Sequence, residues 1–194
     1  LLHGFGAVLH NRPFVGYILQ LGFAQGILFG NIASSPFIVQ EHYGFSAFGF
    51  SLCFAANSLA IMSAAALAVR FRRQERATLL GCRGMLLFSL ATAAALACHC
   101  GFWLYEVLVF ALLFSMGITF PATTTLAMDC TREHAGTASA LLGAVCFAFG
   151  GLVSPLVGMG DTLLSTGTVF VVCAVGSWLA FRSALHHRNR LAVA

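Results

Sequence analysis

Six long stretches of this chain carry no Asp, Glu, Lys or Arg: 13–40, 42–69, 84–105, 107–128, 135–160 and 162–181, of 28, 28, 22, 22, 26 and 20 residues. A helix needs about 20 apolar residues to cross the hydrocarbon core of a bilayer, so each stretch is long enough for one crossing. Composition agrees. Of 194 residues, 59% are apolar and only 8% charged, with a mean hydropathy of +0.91, whereas a soluble domain carries roughly a quarter charged residues. Such a surface cannot face water on all sides. These features exclude a soluble enzyme, a disordered chain and a nucleic-acid binder. The expected fold class is an all-α membrane protein with six transmembrane helices, at about 13–35, 45–69, 79–98, 102–128, 135–159 and 162–181. A linker at 1–12 leads into this bundle of residues 13–182, and 183–194 form a cytoplasmic tail.

The arginines orient the bundle. All ten basic residues are Arg. Arg12 precedes the first span; Arg70, Arg72, Arg73 and Arg76 fill the second connection, with Arg83 just beyond; Arg132 marks the fourth; Arg182, Arg188 and Arg190 follow the last. The connections around Glu41, His99 and Asp161 have none. Basic residues mark the cytoplasmic side, so both termini are expected inside. The net charge of +4 is then a topology signal. The Arg70–Arg76 cluster fits a solvated loop touching anionic headgroups as well as a gating element.

The seven cysteines form no framework. Cys53, Cys82, Cys146 and Cys173 fall inside spans, where free cysteine behaves as a small apolar residue. Cys98-His99-Cys100 lacks the further ligands that a zinc site requires, and His186-His187 read as a polar, basic terminus. No metal and no cofactor are expected. Leu1 to His10 lack the basic start and small-residue cleavage site of a signal peptide. Asn11 as a helix N-cap and Pro13 in the first turn read as the start of a span approached from a linker, as in a piece of a longer chain.

Polar residues inside the spans are the functional candidates. Tyr17, Gln20, Asn31, Ser34 and Ser35 share an arc of about 100° on the first helix, with Gln25 apart. An amide facing lipid without a partner costs several kcal/mol. The stripe therefore faces a watery cavity or bonds to another helix. Gly22, Gly26 and Gly30 on the same helix form a close-packing seam. Asn57 in the second span is expected to face inward, and Arg83 to snorkel to the headgroups. Trp103 and Tyr105 are placed as an outer aromatic belt. Glu106, one turn into the fourth span, is a candidate to carry a proton or pair with a cationic ligand; its place near the outer interface equally fits a plain hydrated position. Gly117 and Pro121 are expected to interrupt that helix, with Thr119, Thr123, Thr124 and Thr125 satisfying the freed backbone. The fifth span carries small residues at Gly136, Ala140 and Ala144, then at Gly150, Ser154 and Gly158, and breaks at Pro155. The sixth reads as a lipid-facing support. No span carries paired acids, a His pair on one face, or a nucleophile beside a base, so an enzyme is not expected.

The run SSPFIVQEHYGFSAFGFSLCFAANSL, residues 34–59, resembles the end of helix seven, the outer loop and helix eight of the Bcr/CflA drug-resistance transporters of the major facilitator superfamily. FPATTTLAMDCTREHAGTASALLG, residues 120–143, resembles their tenth and eleventh helices. Ala122 departs from the Asn that many relatives carry after the tenth-helix Pro, and RFRRQER only loosely matches the superfamily's basic inner-loop motif. The resemblance implies helices seven to twelve of a twelve-helix transporter, whose N-terminal half holds much of the proton-coupling acid chemistry.

The resulting expectation is the C-terminal half of a bacterial inner-membrane exporter of small amphipathic drugs by proton antiport. Tyr17, Gln20, Asn31 and Asn57 are the cavity candidates, and Glu106 the proton or cation contact; no residue is expected to be catalytic. The expected partners are the lipid bilayer, a small-molecule substrate, protons and a missing N-terminal six-helix half, with no nucleic acid. Two alternatives stand beside it: a metabolite exporter of the same superfamily, or a non-transporting truncated or accessory membrane protein.

Overall fold

Where no water is available to the backbone, a single segment can satisfy all its N–H and C=O groups only as a helix, and the charge-free stretches fold accordingly. A computed structural model describes residue 6 and residues 8–193. Among these residues it has six long helices: α1 (Arg12–Pro36), α2 (Ala47–Ala68), α3 (Gln74–Ala97), α4 (Phe102–Asp129), α5 (Ala135–Val153) and α6 (Thr162–Val193). All six are long and apolar enough to cross a membrane. Half of the expected linker, residues 1–5 and 7, lies outside the described residues; residues 8–10 are helical, ending at Asn11.

Several boundaries differ from the sequence expectation, each for a local reason. Instead of stopping at Pro36, α1 continues as a π-helical turn over Phe37–His42. Proline removes one donor from the ladder; wider bonds such as Tyr43 N–H to Ile38 O, 3.1 Å, keep the next carbonyls paired. Gln74–Thr78 add a turn ahead of the expected start of α3, because Gln, Glu, Arg and Ala are good helix formers but give no apolar signal. The tail does not separate at Phe181: α6 runs 32 residues, about 48 Å at 1.5 Å per residue. Pro121 does not interrupt α4, which is one helix of 28 residues. Thr124 and Thr125 donate to the carbonyls of Phe120 and Pro121 at 2.8 and 2.9 Å, not to the Gly117 carbonyl that the missing Pro121 N–H leaves free.

The buried centre is built on α1 and α4. α1 packs against α6, α5 and α4, while α4 packs against α3, α2 and α1. α6, read as a lipid-facing support, also packs along α1 and α3 and buries Phe170, Ser177 and Phe181. Its Trp178 receives Arg83 and Arg182, with guanidinium carbons 5.9 and 5.6 Å from the ring centroid, within cation–π range. α2 buries only the narrow stripe Asn57, Ala60, Ala64 and Ala68. α5 likewise buries Ala138, Cys146, Gly150 and Val153. Their outward faces remain apolar, with Phe48, Leu52 and Met62 on α2 and Phe147 and Leu152 on α5.

Polar contacts tie the helix ends. At one end, Asn11 caps α1 by accepting from Phe14 N–H at 3.2 Å, and its amide donates to Cys130 O at 2.8 Å, joining α1 to the end of α4. Arg188 on α6 pairs with Glu75 on α3 at that same end. At the other end, the Tyr43 hydroxyl donates to Cys100 O at 2.9 Å, linking two connections. Burial lifts this hydroxyl above its ordinary pKa, and the bond to Cys100 adds to the shift. Gly44, with φ +72°, supplies the left-handed residue that lets this connection turn.

Candidate functional site

The half of the bundle nearer the α1–α2 and α3–α4 connections holds the one hydrogen-bonded pair of side-chain amide and carboxylate among the described residues. α2 is alanine-rich on the face toward α4, so the backbones approach closely. A Cβ at Gly117 of α4 would lie 2.6 Å from Ile61 O and 2.8 Å from Ala64 Cβ. That approach brings Asn57 of α2, 7% exposed, within reach of α4. Its Nδ2 donates to Glu106 Oε1 at 2.9 Å, while its Oδ1 is buried without a partner. Glu106 is half-buried. The two ion pairs among the described residues, Arg132–Asp129 and Arg188–Glu75, do not include it.

Next to this pair the structure corrects the aromatic belt. Trp103 is 76% exposed, but Tyr105 is 1% exposed and faces the interior. Two positions on a helix differ by about 200°, so both rings cannot face lipid. Tyr105 lies beside Tyr43, at 5.8 Å between ring centroids, and near Ser35 of α1. Its hydroxyl has no partner among the described residues.

The stripe on α1 divides. Gln20 is fully buried and donates to Ser177 Oγ of α6 at 3.0 Å and to Cys82 Sγ of α3 at 3.6 Å. It thus makes the helix-to-helix bond that the sequence left open beside a cavity role. Tyr17 is fully buried with its ring 6.4 Å from Phe181. Asn31 Oδ1 accepts from Ser35 Oγ at 3.0 Å, and that hydroxyl also reaches Asn31 O at 2.6 Å. Tyr17 and Gln20 therefore sit between helices of this bundle. Asn57 and Glu106, treated separately from the sequence, are brought together. An amide in one span and a carboxylate in another, without charged neighbours in either span, were the only signal for that pairing. Gln25, apart from the stripe, is half-buried on the opposite side of α1.

Chemically, a carboxylate held by one amide donor and no cation can take up a proton or contact a positively charged group. The fold and this polar pair define a multi-pass, all-helical membrane protein with an ionisable group inside its spans. Residues 1–155 match the Major Facilitator Superfamily, and the chain belongs to it. It is also similar to an uncharacterized MFS-type transporter, YdgK, of Bacillus subtilis (strain 168), at 35% identity over 180 residues. The match covers 91% of this chain and 45% of that relative, so the chain spans just under half of the relative's length. Six helices are the complement of half of the twelve-helix fold of this superfamily.

Proposed function

We propose that the chain is the C-terminal half of a secondary active transporter that exports small amphipathic compounds by proton antiport. Both chain termini would lie on the cytoplasmic side of a bacterial inner membrane. The observation carrying this reading is the superfamily match, borne by a six-helix bundle whose α2 and α5 leave broad apolar faces uncovered. Lipid and a second six-helix half would cover those faces. The mechanism would be rocking of one half against the other around a site near the midplane. In it, Asn31 and Asn57 orient the ligand among aromatic and aliphatic walls. Tyr17 and Gln20 border that site from within the bundle, and Glu106 meets protons or cationic groups.

The test is export by the full-length protein from cells depleted of other efflux systems, with a panel of amphipathic dyes and antibiotics. Export of several unrelated compounds, abolished by a protonophore, is the expected result. Strict dependence on a single nutrient would replace drug export with metabolite export.

A further inference from the structure

We propose that Glu106 and Asn57 form a proton-carrying pair in which the single amide serves both protonation states of the carboxylate. The inference rests on the transporter reading above and names the residues through which this half would handle the proton.

An acid inside a span is rare and expensive, and it persists where it has a task. Glu106 is not neutralised by a neighbour. Its hydrogen-bond partner is the Asn57 amide, and the ion pairs among the described residues lie toward the opposite ends of the helices. The titratable groups beside it are Cys53 on α2 and Tyr105 on α4, with Tyr43 on the α1–α2 connection next to Tyr105. From α1, Ser35 lies beside Tyr105. The connections above carry Glu41, His42, His99 and Cys100, with the two imidazoles 6.1 Å apart. None of these makes an ion pair with the carboxylate.

Asparagine offers two donors at Nδ2 and an acceptor at Oδ1 on one rotatable group. With Glu106 ionised, Nδ2 donates to Oε1, and Oδ1 is left buried and unpartnered. Leaving such an acceptor unmade is costly. When water delivers a proton, an O–H bond forms on the Glu106 carboxyl, and that group becomes a donor in need of an acceptor. Half a turn of the Asn57 amide presents Oδ1 to it. On release, the O–H bond breaks, the proton returns to water, and the amide turns back. A fixed organic cation would use the carboxylate but leave Oδ1 unmatched. A proton matches both oxygens in turn.

The experiment is pH-difference infrared spectroscopy on the purified full-length protein in lipid, reading the carbonyl stretch of protonated carboxylic acid. The wild-type spectrum is expected to contain a band that is lost in the isosteric variant Glu106→Gln. Asn57→Leu is expected to shift that band to higher frequency as its hydrogen bond is lost, and Asn57→Gln to keep it in place. Identical wild-type and E106Q spectra, or a band unmoved in N57L, overturn the pair. In parallel, proteoliposomes loaded with ethidium report transport. E106Q is expected to lose ethidium accumulation driven by a pH gradient; gradient-driven accumulation at the wild-type rate overturns the pair. If the infrared band responds as expected and wild type moves no ethidium, drug export fails while the pair stands.

Discussion

Gln20 of α1 donates its amide to the Ser177 hydroxyl of α6 at 3.0 Å, with both side chains fully buried. Gln20 Oε1 has no partner among the described residues. Ser177→Ala leaves the amide only the long Cys82 contact and is expected to cost about 1 kcal/mol. Gln20→Met keeps the length and removes both polar atoms, so it is expected to be near neutral. Thermal melting in detergent measures both. A much larger loss in Q20M than in S177A would show that this amide does more than join two helices.

Asn31→Leu keeps the branched shape, at a larger volume, while removing the side-chain acceptor that Ser35 uses. It is expected to weaken export by the full-length protein while its level in the membrane stays unchanged. Normal export by a well-expressed variant would remove Asn31 from the cavity.

Close helix contacts predict which glycines tolerate a methyl group. At Gly117 an added Cβ meets Ile61 O at 2.6 Å, and at Gly81 it collides with Thr119 and the Ser115 backbone. Gly117→Ala and Gly81→Ala are therefore expected to destabilise by about 1–3 kcal/mol through overpacking. Gly143 has nothing within 4 Å, so Gly143→Ala is expected to be neutral or stabilising, by up to about 1 kcal/mol of helix propensity. Melting temperatures of the three variants, measured side by side, decide the matter.

Those glycines also show where sequence reading ends. Gly22, Gly26 and Gly30 were legible as a seam from their spacing alone, and Phe149, Cys173 and Val169 do approach them closely. The similar spacing on the fifth span is mostly different: Gly136 on α5 and Gly158 beyond its end face open space, while Gly150 meets Phe29. Spacing fixes which residues share a helix face; it does not say whether another helix lies against it. The same limit applies to the candidate site. Asn57 and Glu106 each stood out as polar groups in apolar spans, but their meeting depends on how far α2 slides along α4. That offset is set by the packing of Ala64 on Gly117. The six spans were legible because the bilayer imposes length and apolarity on each one separately. Their ends were less so, since Gln74–Thr78 and residues 182–193 are polar helix beyond the apolar stretch.

Arg188 and Glu75 join α6 to α3 with side chains 39% and 32% exposed. Water screens a pair this open, so Arg188→Gln or Glu75→Gln is expected to cost at most about 1 kcal/mol. The cost should shrink as salt is raised, because the Debye length falls from about 10 Å at 0.1 M to about 3 Å at 1 M. The double swap Arg188→Glu with Glu75→Arg is expected to recover stability at low salt. A loss well above that bound, insensitive to salt, would mean the pair is enclosed by a part of the protein beyond this bundle.

Native cysteines give a direct test of orientation. Cys98 is exposed at the end of α3, and Cys130 is half-buried at the end of α4. α3 and α4 run in opposite directions, so these thiols lie at opposite ends of the bundle. With the arginine-rich connections inside, a membrane-impermeant maleimide applied to intact cells is expected to label Cys98 and spare Cys130. Permeabilisation should then expose Cys130. Its labelling is expected to be slow, because burial raises its pKa and lowers the thiolate fraction that reacts. Cys82, Cys146 and Cys173 are buried within spans and should stay unlabelled in both conditions. Cys98→Ser, with its signal lost, identifies the outer site. Labelling of Cys130 before Cys98 in intact cells would reverse the orientation, placing Glu106 near the cytoplasm and the direction of proton entry through the Asn57 pair with it.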